Sequence, residues 1–514
     1  MARPSAPSLE QAINLPDGPA RTIGAHSMTS TPTPQLLARL ADLLGPKGFT
    51  DVAGEMEPWL TDWRRRYRGA AAALLSPAST EEAAEIVRLC ADAQIAIVPQ
   101  GGNSSMVAGA VPDASGAAIL LSLRRMNRIR SLDPAANLAV CEAGVVLADL
   151  HEAALGAGRR FPLTLGAKGS ATIGGLVSTN AGGTQVLRFG TMRGLVLGIE
   201  AVLADGSVWY GLAPLKKDNR GYDLRHLLIG AEGTLGVVTA ASLELVPAAA
   251  ARAVAWIGVA SPDAALALLR HCEAALGDAV EAFELLPRSA LDLVLAHIPG
   301  TRAPLARTSP CYVLVEAIGA EPEPALAAAL AQALERGLAA DATIAASEAQ
   351  AEAFWRLRDS ISEAERKDGP AAKHDISVAV ALMPRFMTEA AAEVERRFSG
   401  TRVNAFGHLG DGNVHFNVRA PEGADGGWLE ETGTAVTAFV HDLVTAAGGS
   451  ISAEHGIGQM KRDELARLGD PARLAAMRAI KQALDPKGIM NPGKLIAPAD
   501  MPLLGSLAET ADPQ

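Results

Sequence analysis

Apolar positions along the chain switch between helical and strand spacing, and the alternation predicts an α+β protein. Ile86, Val87 and Leu89 recur at helical spacing behind Ser79 and Glu82, which form a capping box, and the run from Ile95 to Pro99 then reads as a buried strand. Val237 to Val246 has strand character. After Pro247 the composition shifts to Ala and Leu. There Ser261-Pro262 is a cap with proline at the first helical position, and Ala264 to Leu276 carries a helical apolar stripe expected to be core. Tyr312 to Ala317 reads as strand, Pro324 to Leu338 as helix, and Arg462 to Leu484 as one helix. Residues 1–30, rich in Pro, Ser, Thr and Ala, read as a poorly ordered extension with an alternative start at Met28.

Against this background His408-Leu-Gly-Asp-Gly-Asn-Val-His415 stands out. If Asp411-Gly412 is the two-residue turn such dipeptides favour, His408 faces His415 across a hairpin. Cross-strand neighbours have Cβ atoms roughly 4.5–5.5 Å apart, a spacing that lets two imidazoles converge on one metal ion. Glu454, in Ser452-Ala-Glu-His-Gly-Ile-Gly458, supplies a carboxylate third ligand and leaves a position open for substrate. His455 beside it is placed to take a proton. Asn417 shares a strand face with His415 by period-two alternation.

Glycine-rich segments form a second pattern. They are Gln100-Gly-Gly-Asn-Ser-Ser105, the stretch from Pro162 to Gly183, and Gly230-Ala-Glu-Gly-Thr-Leu-Gly236. Regularly recurring Leu163, Leu165, Ile173, Leu176 and Val177 make the middle one too ordered for a linker. A backbone wrapped closely around one flat, extended cofactor accounts for all three. Neither a Walker loop nor a Gly-x-Gly-x-x-Gly turn within a βαβ unit is present, so neither P-loop nor nicotinamide binding is supported.

Composition narrows the class further. At 514 residues the chain exceeds a single core, so two or three domains are expected. A net charge of -11 and no basic tract beyond Arg64-Arg65-Arg66, read as a solvated helix face, exclude nucleic acid. Cys90, Cys141, Cys272 and Cys311 lie far apart with no CxxC spacing, so neither a disulfide framework nor a thiolate site is expected. No run is long and apolar enough to span a membrane, and no signal-peptide order is seen. A cytoplasmic protein, at most peripheral to the inner membrane, is expected.

Six ordered motifs carry a resemblance over residues 69–497: Pro99 to Ser104, Gly166 to Gly183, Ile229 to Val237, Gly407 to Asn417, Glu454 to Gly458 and Met490-Asn-Pro-Gly-Lys494. Together they resemble the flavoprotein family of vanillyl-alcohol oxidase and p-cresol methylhydroxylase, in its branch of FAD-linked D-2-hydroxy-acid dehydrogenases. The resemblance implies a two-part FAD-binding domain over 46–247 behind an extension and first helix at 1–45. It also implies an α+β substrate domain carrying the metal site over 248–460, and a C-terminal helical segment, 461–514, returning to the flavin. FAD contacts are implied for Gln100, Gly101, Gly102, Asn103 and Ser104, for Gly169, Ser170, Ile173, Gly174, Gly175, Thr179, Asn180, Gly182 and Gly183, and for Glu232, Gly233, Gly236, Val237 and Asn491. Relatives with covalent flavin place a His in the first loop. This chain has Asn103 there, so FAD is expected to be non-covalent.

Within the branch, the segments Phe354 to Ser362 and Lys373 to Val378 resemble D-2-hydroxyglutarate dehydrogenases, which implies that Arg358, the hydroxyl at Ser362, and Lys373 hold two substrate carboxylates, while Asn417, on the His415 face, is placed to contact substrate or a metal-bound oxygen. Monocarboxylate relatives are neutral near the Lys373 position, whereas the usual Thr is Ser here. The resemblance implies zinc on His408, His415 and Glu454, and His455 as the base for hydride transfer to flavin N5. It implies reoxidation by an electron-transfer flavoprotein, quinone or cytochrome, and a homodimer. D-lactate, glycolate or D-malate dehydrogenase, and a catalytically idle flavin protein, stay open as alternatives.

Overall fold

The computed structural model describes residues 30–497. The extension at 1–29 lies outside the described residues. Contacts divide the chain into two compact units. One holds Thr184–Arg188 and Ala249–Ala453, and the other holds, of the described residues, 30–183, Phe189–Ala248 and 454–497.

The unit that holds 30–183, Phe189–Ala248 and 454–497 is built on two main sheets and also holds the short antiparallel pair Arg159–Arg160 and Val246–Pro247. In the smaller, the order is Phe49–Thr50, Ala73–Leu75, Ile119–Ser122, Ile97–Gln100, with the last three strands parallel. In the larger, five antiparallel strands run in the order Ile129–Asp133, Leu138–Glu142, Gly236–Glu244, Val196–Leu203, Val208–Gly211. Helix Thr80–Ala93 starts where the sequence predicts, the Ser79 hydroxyl accepting from the Glu82 N–H at 3.2 Å. Glu82 reaches back one residue further than the usual box and accepts from the Ala78 N–H at 2.7 Å. Its buried face, including Ile86, Val87 and Cys90, packs with Ile97, Ile119 and Val202 in one core.

Two expectations are corrected in this unit. Arg64-Arg65-Arg66 lies in a turn closed by a bridge between Thr61 and Arg68, not on a helix. Buried Asp62 forces the turn, because its carboxylate accepts from the N–H groups of Arg64 and Tyr67. The helix expected over Arg462 to Leu484 is two helices, Arg462–Leu468 and Pro471–Leu484. Asp470 caps the second by accepting from the Arg473 N–H at 2.8 Å, with Pro471 at its first position.

The other unit carries a seven-stranded antiparallel sheet, in the order Asp341–Ile344, Ala251–Val259, Cys311–Gly319, Val280–Pro287, Arg402–His408, Asn413–Arg419, Ala371–Ser377. Helix Pro262–Leu276 begins at the expected cap, with the Ser261 hydroxyl accepting from the Ala264 N–H. On one sheet face Trp256, Tyr312, Leu314 and Phe406 pack with Leu291 and Val294, Phe354 and Leu357, and Ile361 and Ala364. These come from helices Arg288–His297, Glu348–Asp359 and Ile361–Asp368. A fully buried ring such as Phe406 contributes roughly 1.5–3 kcal/mol over exposure, so this layer fixes the sheet end that bears the hairpin.

Candidate active site

The hairpin's register differs from the two-residue turn. His408 pairs with Asn413, Gly407 with Val414 and Phe406 with His415, so residues 409–412 form the connection. Two contacts impose this. Leu409 is fully buried and donates its N–H to the Phe283 carbonyl at 3.0 Å, which pulls it out of the ladder. The Asp411 carboxylate accepts from the Asn413 N–H at 2.9 Å, an Asx turn that starts the second strand at Asn413. The shift of two residues preserves side-chain parity, so His408 and His415 still share a face, with ring centroids 5.4 Å apart.

Registers with the outer strand extend that face. Lys373 pairs with Asn417 and Asp375 with His415, so Lys373, Asp375, Asn404, His408, His415 and Asn417 all project to one side. The His415 Nδ1 lies 3.8 Å from an Asp375 oxygen. Glu284, buried on the strand Val280–Pro287, accepts from His408 Nδ1 at 2.5 Å and from Arg358 Nε at 2.7 Å. Burial alone would raise the Glu284 carboxyl. The Arg358 guanidinium and the His408 imidazole beside it instead hold it far below the usual carboxylate range. With Nδ1–H committed to Glu284, the His408 Nε2 lone pair is the one presented to a metal.

Ala453 donates its N–H to the Asp375 carbonyl at 3.2 Å, and Glu454 follows it directly in the chain. His408 and His415 present two imidazoles on this one face, and Glu454 and His455 follow Ala453 in the chain. Two imidazoles meeting on one face are the ligand chemistry of a divalent metal.

Of the expected substrate residues, Arg358 stands with its terminal nitrogen 3.4 Å from His408 Nε2. Lys373 Nζ donates to the Ser362 carbonyl at 3.2 Å and pairs with buried Glu365 at 3.1 Å. Asn417 and Asn404 each donate an amide N–H to the same Glu365 carboxylate at 2.7 Å. Ser362, Lys373 and Asn417 are therefore brought together, while Arg358 stands by His408. Glu284 and Glu365 went unread in the sequence, where Glu281 on the same strand and Glu363 and Asp368 on the same helix give no reason to single them out.

In the unit that holds 30–183, Phe189–Ala248 and 454–497 a cleft is lined by Gln100, Gly101, Gly174, Gly175, Thr179, Glu232, Gly233, Gly236 and Val237, all expected at a cofactor. Pro99, Ser105, Gly109, Ala110, Leu123, Ser178 and Val238 also line it. Ser105 and Ser178 lie within the glycine-rich segments, whereas Gly109 and Leu123 gave no signal. The other expected positions are not among its lining residues. A Cβ at Gly102 would strike the Ser170 carbonyl, and one at Gly183 would strike that of Thr164. Asn103 donates to the Thr61 carbonyl, Asn180 accepts from the Arg193 N–H, and Asn491 donates to the carbonyls of Gly109 and Glu232. Ser170 donates to the Ala167 carbonyl, and Ile173 is buried. Ser104 is half-buried beside Asn103, and Gly182 is buried; Gly169 has open space where a Cβ would be. The cleft fits FAD, because a glycine-lined wall lets a flat ring approach and the buried Oε1 of Gln100, which lines it, has no protein partner.

Residues 71–210 match the FAD binding domain family, and residues 248–495 match the family described as FAD linked oxidases, C-terminal domain. The mitochondrial D-2-hydroxyglutarate dehydrogenase of Bos taurus is 41% identical over 463 residues, covering 90% of this chain and 83% of the relative. That of Arabidopsis thaliana is 39% identical over 458 residues, covering 88% and 80%. This chain belongs to the FAD-linked 2-hydroxy-acid dehydrogenases. The fold of these dehydrogenases is the α+β architecture of p-cresol methylhydroxylase, whose substrate-bound structure superposes with a TM-score of 0.66 at 15% identity, covering 90% of this chain and 96% of that one.

The expected cytoplasmic location is overturned, since these relatives are named mitochondrial proteins. That expectation rested on cysteines without disulfide spacing and on the lack of a spanning run, and neither feature names a compartment. Among the described residues no helix is long and apolar enough to cross a membrane.

Proposed function

We propose that this chain oxidises D-2-hydroxyglutarate to the 2-oxo acid in a mitochondrial compartment. The observation that carries the reading is a pair of cations, Arg358 and Lys373, on the elements flanking one sheet face that also bears His408 and His415. A dicarboxylate has two anionic ends to satisfy. A guanidinium fork suits bidentate binding of one and an ammonium neutralises the other. The relatives' names support the same substrate.

When bound, non-covalent FAD supplies the hydride acceptor, and zinc held by His408, His415 and Glu454 supplies Lewis acidity that lowers the pKa of the substrate hydroxyl. His455 is the group that would receive the hydroxyl proton, leaving a protonated imidazole, while the α-carbon hydrogen with its electron pair would pass to the bound cofactor and the substrate become the 2-oxo acid. Glu284 fixes the His408 tautomer and the Arg358 guanidinium together. Glu365 holds Lys373 and the Asn417 amide in one orientation. An electron-transfer flavoprotein, quinone or cytochrome would serve as the acceptor that reoxidises the cofactor.

Steady-state kcat/KM with an artificial dye as acceptor tests the substrate. D-2-hydroxyglutarate is expected to exceed D-lactate, glycolate and D-malate, and a preference for a monocarboxylate would contradict the reading.

A further inference from the structure

Glu232 lines the flavin cleft, yet every polar group it has is already engaged by protein. Its N–H donates to the Ser178 carbonyl at 2.8 Å, and its carbonyl accepts from Asn491 Nδ2 at 2.6 Å. Its two carboxylate oxygens accept separately from the backbone N–H groups of Ile457 at 2.8 Å and Gly458 at 2.7 Å. The carboxylate is buried, and Glu232 sits at a φ of +51°, a conformation L-residues seldom adopt. We infer that Glu232 is a positioning residue, which clamps the loop Glu454–Gly458 to the cleft wall and so sets where the His455 imidazole stands. The inference rests on the reading of His455 as proton acceptor.

The loop is shaped around this carboxylate. Gly456 and Gly458 have φ of +78° and +53°, which turn successive N–H groups toward one anion, as in a backbone nest. A Cβ on Gly456 would stand 2.8 Å from Glu232 Oε1, and one on Gly458 would strike the Val107 carbonyl. The next residue, Gln459, donates its side-chain N–H groups to the carbonyls of Ala108 and Val111, which anchors the loop's far end. The glycines of Glu454-His-Gly-Ile-Gly458 are thus explained by an acid more than two hundred residues upstream. Burial raises the Glu232 carboxyl while the two N–H groups oppose that rise. A side chain so committed has its role in the loop and not in gripping the cofactor.

Glu232→Gln is nearly isosteric but turns an NH2 toward one of the two N–H donors. In the FAD-loaded full chain we expect unchanged flavin content and a fold unchanged by circular dichroism. Hydrogen exchange across 454–460 should be at least tenfold faster, kcat at least tenfold lower at similar KM, and the ascending limb of the kcat–pH profile displaced. Gly456→Ala, which presses on the same oxygen from the loop side, should reproduce this if Glu232→Gln folds poorly. Unchanged exchange and kcat in both variants, or loss of flavin with normal exchange, would overturn the inference. The exchange arm reads the clamp without turnover, so it stands even if D-2-hydroxyglutarate is not the substrate.

Discussion

His408 and His415 are diagonal and not direct neighbours across their hairpin: the rings meet at 5.4 Å, while the backbone pairs His408 with Asn413 and His415 with Phe406. What brings the rings together is parity, and what aims them is the carboxylate behind each, Glu284 for His408 and Asp375 for His415. A metal site of this kind depends on those supports nearly as much as on its ligands.

Glu284→Gln should therefore weaken metal binding by about 10–100-fold without touching a ligand. Competition with a chromogenic chelator, read as metal per chain, checks it. Wild-type affinity in the variant would show that Glu284 serves only Arg358.

Lys373 and Glu365 form the other support. Lys373→Met removes a charge-assisted contact of about 1.5–3 kcal/mol, so kcat/KM for D-2-hydroxyglutarate should fall roughly 10–150-fold while that for D-lactate barely moves. The single change also leaves the buried Glu365 carboxylate without its ammonium partner, held by the Asn404 and Asn417 amides alone, and so lowers stability. Lys373→Met with Glu365→Gln should recover much of the stability and keep the lost selectivity. Equal losses on both substrates would place Lys373 outside the substrate site.

How far the sequence goes is visible in these residues. Period-two alternation places His408, His415 and Asn417 on one face, and that conclusion survives the register shift because a slip of two keeps parity. The register itself depends on Leu409 bonding to Phe283, a partner more than a hundred residues away that local spacing does not reveal. The capping box at Ser79 and the cap at Ser261 are local and were legible to the residue. The break at Gly469-Asp470-Pro471 was equally local but was hidden by apolar spacing that continues through it. Glu284 and Glu365 act across strands and helices, so only the fold reveals them.

Gly174 tests the cleft wall. A Cβ there would come 2.6 Å from the Ala143 Cβ, an overpacking of about 1–3 kcal/mol beside the flavin. Gly174→Ala should lower both thermal stability and the ratio of flavin to protein absorbance, and full flavin occupancy in the variant would move the cofactor off this wall.

Lys494 gives a pH signature. Burial pushes its ammonium down from 10.5 to about 8. Between those values the unfolded chain holds the proton more tightly than the folded one, so stability from this group rises with pH from about 8 to 10.5 and is lowest below 8. The full span corresponds to about 3 kcal/mol at 1.36 kcal/mol per unit. Lys494→Met should raise the denaturation midpoint at neutral pH and flatten its rise toward pH 10 relative to wild type. A parallel rise in both proteins would contradict this.

The central claim is that flavin, metal and the two cations act on one dicarboxylate. Anaerobic addition of D-2-hydroxyglutarate to the purified protein, with the flavin absorbance followed before chelation, after chelation and after zinc is restored, tests it most directly. The account predicts bleaching that is lost on chelation, returns with zinc, and is weak or absent with D-lactate. Bleaching that is indifferent to chelation, or that prefers D-lactate, would contradict it.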